Sequence, residues 1–150
     1  MKLKQVVLVG LPLITTLLTT QVKACDLELD CLAEAIYFES RGEITAGQIA
    51  VAQVIMNRVK SNRFPNTIKA VVHQPKQFSY YSDGKPEIMH DIKSQTKAYT
   101  IASLVLTGDF IVDTVDLADH YFNDELVDPK WSKKMIYIGR VGKHVFYKAK

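Results

Sequence analysis

A glutamate on the apolar face of a helix is the residue in this chain best placed to do chemistry. In the stretch from Leu32 to Val59, LAEAIYFESRGEITAGQIAVAQVIMNRV, the residues Leu32, Ala35, Ile36 and Glu39 recur at i, i+3, i+4 and i+7. A helix with that spacing carries the Glu39 carboxylate on its buried stripe. Gly42 can end such a helix in a left-handed conformation, which leaves Glu39 near the negative end of the macrodipole. Burial and dipole both disfavour the ionised form and raise the pKa, as a general acid requires near neutrality. The alternative is a core glutamate paired with a lysine or arginine; the helix-end position weighs against it. Glu43 is the nearest second carboxylate in sequence, yet it lies beyond Gly42, where its expected role is to favour the positive end of the next helix.

The elements that must position Glu39 follow from pattern and punctuation. A first helix is expected from about Leu29 to Arg41. A second begins at Thr45, where Thr45-Ala46-Gly47-Gln48 reads as a capping box, and runs through Val59. That helix is apolar nearly all round and should be central to the core. Pro65 punctuates a loop, and Asn66 or Thr67 caps a short helix to about Val72. After an irregular stretch from Gln74 to Pro86, a third long helix spans roughly Glu87 to Thr107 and stops at Gly108. Phe110 to Val115 and the residues around Tyr121 read as extended. Met135 to Tyr147 reads as a hairpin with arms MIYIG and KHVFY and Arg140-Val141-Gly142 near its turn. Helices first and strands last predict an α+β domain.

The first 24 residues have the form of a secretory signal. Lys2 and Lys4 precede an apolar run from Val6 to Leu18, and Val22-Lys23-Ala24 offers a small-residue cleavage site before Cys25. A membrane anchor is the alternative, weakened by Pro12 and the threonines; lipidation at Cys25 is a third reading, poorly served by Lys23. The formal charge of +3 comes entirely from Lys2, Lys4 and Lys23, because this segment holds no acid and the rest balances 16 basic against 16 acidic residues. The basic balance therefore does not argue for nucleic acid. Residues 25–150 suit one domain, expected to be exported and monomeric. Cys25 and Cys31 lie close together at its start, where an oxidising compartment would permit a local disulfide, free or lipidated Cys25 being the alternatives.

In order along the chain, AIYFESRGE, GQIAVAQVIMNRV and RFPNTI, followed by Gln77-Phe78-Ser79, Ala118-Asp119-His120-Tyr121, Pro129-Lys130-Trp131 and Gly142-Lys143-His144-Val145-Phe146-Tyr147, resemble the SleB/CwlJ-type cell-wall hydrolases, which include spore cortex-lytic enzymes. The resemblance covers Leu32 to Tyr147. It implies a fold related to lysozyme-like lytic transglycosylases, peptidoglycan glycan strands as substrate, no cofactor, and Glu39 as the catalytic acid. Two positions depart from the family pattern: Ser40 stands for its usual alanine, and Asp119 precedes His120 where threonine is common.

Arg41, Gln77, Phe78, Ser79, His120 and Tyr121 are the candidate substrate contacts, since sugar sites set polar donors beside aromatic rings. Each has a structural alternative, and Phe78 and Tyr121 could be core. Trp131 and His144 read more readily as packing residues of the terminal sheet. A retaining glycosidase needs a second carboxylate near 5 Å, and an inverting one needs it farther away. A lytic transglycosylase needs one carboxyl group. An ordinary muramidase or glucosaminidase, a noncatalytic wall-binding module and a zinc amidase are the competing functions. The four histidines show no HExxH pair and the cysteines no CxxC spacing, so no metal is expected; the acidic run from Asp113 to Asp128 lacks calcium-loop spacing.

Overall fold

The computed structural model describes residue 25 and residues 27–150; the expected leader, residues 1–24, lies outside the described residues. Helix α1 spans Glu28–Ser40 and helix α2 spans Thr45–Lys60. Leu32, Ala35 and Ile36 are fully buried, as their spacing requires. Two details of the expected helix ends are corrected. Gly42 is not left-handed: Arg41 stays right-handed, its N–H donates to the Tyr37 carbonyl, and Glu43 N–H donates to the Ser40 carbonyl at 2.8 Å, so the turn needs no positive φ. The capping box is absent as well. Thr45 is already helical and Ile44 holds the cap position without a side-chain bond. Gln48 Nε2 instead donates back to the Glu43 and Arg41 carbonyls and clamps the connecting turn.

Helix α2 is apolar on every side because it lies between two layers. Ile49, Ala52 and Ile55 face the helical core shared with α1, with α3 (Ile68–Val72) and with α4 (Ile92–Thr107). Ala50 and Val54 face the other way and pack on Val115, Ala118 and Phe146. Thr67 caps α3 by accepting from Ala70 N–H at 3.1 Å. Helix α4 starts five residues later than expected, where Asp91 accepts from the N–H groups of Lys93 and Ser94; Gly108, at φ 80°, closes its end.

The sheet is antiparallel in the order β1-β3-β2, with β1 His120–Asn123, β2 Ile136–Val141 and β3 His144–Lys148. Strands β2 and β3 are the expected hairpin, and β3 also pairs Tyr121 with Phe146. Phe110 to Val115 forms no strand and ends in a 3-10 turn over Asp113–Val115. Side chains of α2 take the place of strand partners for this segment and the residues after it. Gln53 Oε1 accepts from Val112 N–H at 2.8 Å, Asn57 Nδ2 donates to the Ala118 carbonyl at 2.8 Å, and Arg58 Nε donates to the Asp119 carbonyl at 2.7 Å. Buried backbone groups must find partners, and here Gln53, Asn57 and Arg58 of α2 provide them. A disulfide joins Cys25 to Cys31 in the first turn of α1.

Two positions generate tests of this architecture. Gly142, at φ 59°, turns the β2–β3 hairpin against the Glu43 carboxylate, which accepts from Lys143 N–H at 3.0 Å; a Cβ at residue 142 would overlap that carboxylate. Gly142→Ala is expected to destabilise the fold by at least about 1–2 kcal/mol in urea titration, the usual cost of a left-handed residue with a Cβ. An unchanged midpoint would show that the hairpin does not depend on this contact. Glu34 on α1 is 7% exposed, its Oε1 has no partner among the described residues, and burial, then Glu87 and Asp30, raise its pKa from 4.5 to about 7. The folded state therefore holds this proton more tightly than the unfolded chain. The resulting stabilisation is complete below about pH 4.5 and is lost as pH rises through about 7. Glu34→Gln should flatten that slope in denaturation series across the interval, and identical slopes would contradict the assignment.

Candidate active site

Glu39 is the penultimate residue of α1, half-buried where the helix end meets the sheet. Strand alternation turns Tyr121 of β1 towards the helices, and its hydroxyl donates to Glu39 Oε2 at 3.1 Å. Burial pushes the Glu39 carboxyl above the usual carboxylate range; the Tyr121 hydrogen bond, and then the Arg58 guanidinium, oppose that rise. The same burial, with Glu39 beside it, holds the Tyr121 phenol far above its ordinary value, so its proton stays in place as a donor. Oxygen Oε2 is thus occupied by a fixed donor, which leaves Oε1 to carry or receive a proton.

Arg58, in the last turn of α2, is only 4% exposed. Its guanidinium lies 5.2 Å from the ring centroid of Phe64 and 5.7 Å from that of Phe78, and Nη1 has no partner among the described residues. Burial lowers its pKa, while Tyr121, Asp119 and Glu39 raise it. Together with Lys76, Gln77, His120, Tyr121 and Trp131 it lines a cleft of about 410 Å³. A larger groove of about 800 Å³ runs between α2 and α4 past Ile49, Ile92, Leu104 and Phe110, but its lining holds no acid, histidine or cysteine.

The candidate contacts divide. Gln77, His120 and Tyr121 share the cleft. Phe78 does not: at 2% exposure it is core, with no surface left for a sugar. Ser79 is exposed and outside the described clefts, and its carbonyl accepts from Ser82 N–H in the turn at Tyr80–Ser82. Arg41 stacks over Tyr37 at 4.8 Å and lines a separate depression with Phe38 and Tyr80. Two residues apart on a helical path, Glu39 and Arg41 are turned about 200° from each other, which explains the separation. Glu43 is engaged with the hairpin turn.

Asp119, the departure from the family pattern, is buried and fully used. It pairs with Arg63 and accepts from Ala149 N–H, and its Oδ1 lies 2.7 Å from His120 Nδ1. This contact fixes the His120 ring and leaves Nε2 free of that bond. Trp131 both packs, at 5.4 Å from Phe122 and from His120, and lines the cleft. His144 is a buried strand residue edge-on to Tyr121, although its Nδ1 has no partner among the described residues. Among the described residues, no three His, Cys, Asp or Glu side chains gather as a metal site. Glu34, Arg58 and Lys76 were not singled out by the sequence pattern. Arg58 was detectable by the spacing that exposed Glu39, since it follows Val54 and Ile55 by four and three residues on an apolar helix.

Known proteins resemble this chain in sequence and fold. The family described as Cell Wall Hydrolase matches residues 42–147. A spore cortex-lytic enzyme of Bacillus cereus is 37% identical over 121 residues, covering 81% of this chain and 44% of that protein. One from Bacillus subtilis is 35% identical over 119 residues, covering 79% and 37%. The chain thus spans less than half the length of these relatives. Among solved structures, the catalytic domain of the germination-specific lytic transglycosylase SleB from Bacillus anthracis superposes with a TM-score of 0.65 at 35% identity, covering 81% of this chain and 93% of that one. The SleB catalytic domain of Bacillus cereus gives 0.63 at 34% identity, covering 81% and 89%. The helix-rich body with its small antiparallel sheet is the lysozyme-like α+β fold implied by the sequence. By both sequence and fold, the chain belongs to the cell wall hydrolase family that includes the SleB spore cortex-lytic enzymes.

Proposed function

We propose that this chain cleaves the glycan strands of peptidoglycan as a lytic transglycosylase, with Glu39 as general acid and then general base, in the cell envelope or outside the cell. The observation that carries this reading is a single carboxyl group, raised in pKa by burial and held by one fixed donor, Tyr121, which itself lines a cleft with polar and aromatic walls. Other carboxylates near this end of the fold are committed: Glu43 to Lys143 N–H, and Asp119 to Arg63 and His120. One carboxyl suffices for the transglycosylase route. The protonated Glu39 gives its proton to the glycosidic oxygen as the bond to the anomeric carbon breaks, and the substrate's N-acetyl oxygen bonds to that carbon. The Glu39 carboxylate then removes the proton of the muramic C6 hydroxyl, whose oxygen displaces the acetamido oxygen and closes a 1,6-anhydro ring. The proton returns to Glu39 and no water is consumed.

The opposing influences on Glu39 suit both halves of this cycle. Burial favours the acid that must donate. The Tyr121 hydroxyl and the Arg58 charge stabilise the carboxylate that must then accept, so neither form is inaccessible.

Two measurements test the proposal. Glu39→Gln should lower release of soluble fragments from purified sacculi by about 10²–10⁴-fold, the usual contribution of a positioned acid. Mass spectrometry of wild-type products should find anhydromuramic ends. Undiminished release by the variant would remove Glu39 from the chemistry, and ordinary reducing ends alone would replace transglycosylation with hydrolysis. Tyr121→Phe deletes a donor that favours the ionised carboxyl, so Glu39 should stay protonated to higher pH and the alkaline limb of the kcat/KM profile should move upwards. A downward shift would contradict the role given to that hydroxyl.

A further inference from the structure

The cleft lined by Tyr121 has two cations in its wall: Arg58, whose charge also acts on Glu39, and Lys76, which has no part in the acid/base chemistry. Arg58 is buried with Nη1 unpartnered among the described residues, although a buried guanidinium normally satisfies its donors. Its Nε is spent on the Asp119 carbonyl, and the Asp119 carboxylate is taken by Arg63, His120 and Ala149 N–H. No carboxylate lines the cleft to balance it.

Lys76 is the second cation, and its backbone is unusual. Gln74 to Gln77 forms a tight turn in which Gln77 N–H donates to the Gln74 carbonyl at 3.2 Å, with Pro75 second and Lys76 third. Lys76 has φ 63° and is the one non-glycine residue with positive φ among the described residues. A turn with proline second and positive φ third favours glycine at that place, because any Cβ there is strained. Strain at a cleft wall points from conformation to use. Lys76 is exposed, and no carboxylate stands beside it in the cleft wall.

We propose that Arg58 and Lys76 form an anion subsite that binds a carboxylate carried by the glycan strand, either the free lactyl group of muramic acid or the stem peptide attached to it. The subsite rests on the glycan-cleavage reading and specifies its substrate as an acidic strand rather than a neutral chitin-like one. With Nε spent and Nη1 buried, Arg58 contributes charge to the cleft wall rather than a two-pronged contact, and the Lys76 ammonium adds a mobile point charge from the rim. His120 Nε2, left free by the Asp119 contact, and Gln77 supply polar contacts to the same ligand or to sugar hydroxyls. A carboxylate seated on Arg58 also offsets the cation's pull on Glu39 and favours its protonated form at the moment of donation.

Lys76→Gly separates ligand binding from folding, since glycine accepts this φ without a Cβ penalty and the thermal midpoint should stay level or rise. Binding is measured in the Glu39→Gln background, so that strands stay intact, with three probes: peptide-free strands, the same strands with carboxyls converted to amides, and peptide-bearing strands. Adding Lys76→Gly should weaken binding of carboxylate strands by about tenfold and leave the amidated strands unchanged. Loss confined to peptide-free strands assigns the lactyl group, and loss confined to peptide-bearing strands assigns the stem peptide. Equal effects on charged and amidated strands, or none, overturn the subsite. Cleavage by the chain with Glu39 intact is followed separately: if it persists while charge discrimination is absent, the subsite fails alone, whereas absent cleavage rejects the glycan reading itself.

Discussion

The hydrogen bond from Tyr121 to Glu39 joins the end of the first helix to the first strand of the sheet, and the site exists only where those two elements meet. A carboxyl group removed from water resists ionisation, and a donor aimed at one of its oxygens partly restores it. Because the donor is a phenol held far above its ordinary pKa, it gives direction without competing as an acid. The remaining oxygen faces the task of proton exchange alone. Displacing β1 by a fraction of its width would remove this definition, so the packing beneath the sheet is part of the chemistry.

That packing depends on α2. Its two apolar faces bind the helical core and the sheet layer, and its polar residues Gln53, Asn57 and Arg58 hold the backbone that leads into β1. The segment before β1 needs no strand partner because helix side chains supply its hydrogen bonds. Arg58 links scaffold to site: its Nε fixes the Asp119 carbonyl immediately before β1, while its charge acts on Glu39. Asp119 adds a second tie through Arg63, His120 and Ala149. A departure from the family pattern at residue 119 is thereby absorbed into the scaffold, and it orients a cleft histidine in doing so.

The hairpin turn shows the same economy at the other end of the site. Glu43, which sequence proximity made the natural second carboxylate, is turned to the Lys143 N–H. Its neighbour Gly142 has no side chain because the carboxylate occupies that space. A carboxylate engaged by a backbone donor in a turn is a structural tie, and this leaves Glu39 as the acid of the proposed chemistry.

Much of this was legible along the chain because its causes are local. Periodicity located α1 and α2, an apolar surface nearly all round marked α2 as central to the core, and the spacing of Leu32, Ala35 and Ile36 marked Glu39 as a buried carboxyl. Turn residues located the terminal hairpin. Other features were beyond local reading because they depend on partners distant in sequence. Tyr121 meets Glu39 across 82 residues, and Arg58 meets Asp119 across 61. Phe110 to Val115 has strand-like composition, yet α2 satisfies its backbone and no strand forms. Residue type and spacing determined which groups would be costly to bury; only the tertiary structure decided what each buried group would face, because desolvation follows from a residue's own face of its helix whereas its compensation comes from whatever packs against that face.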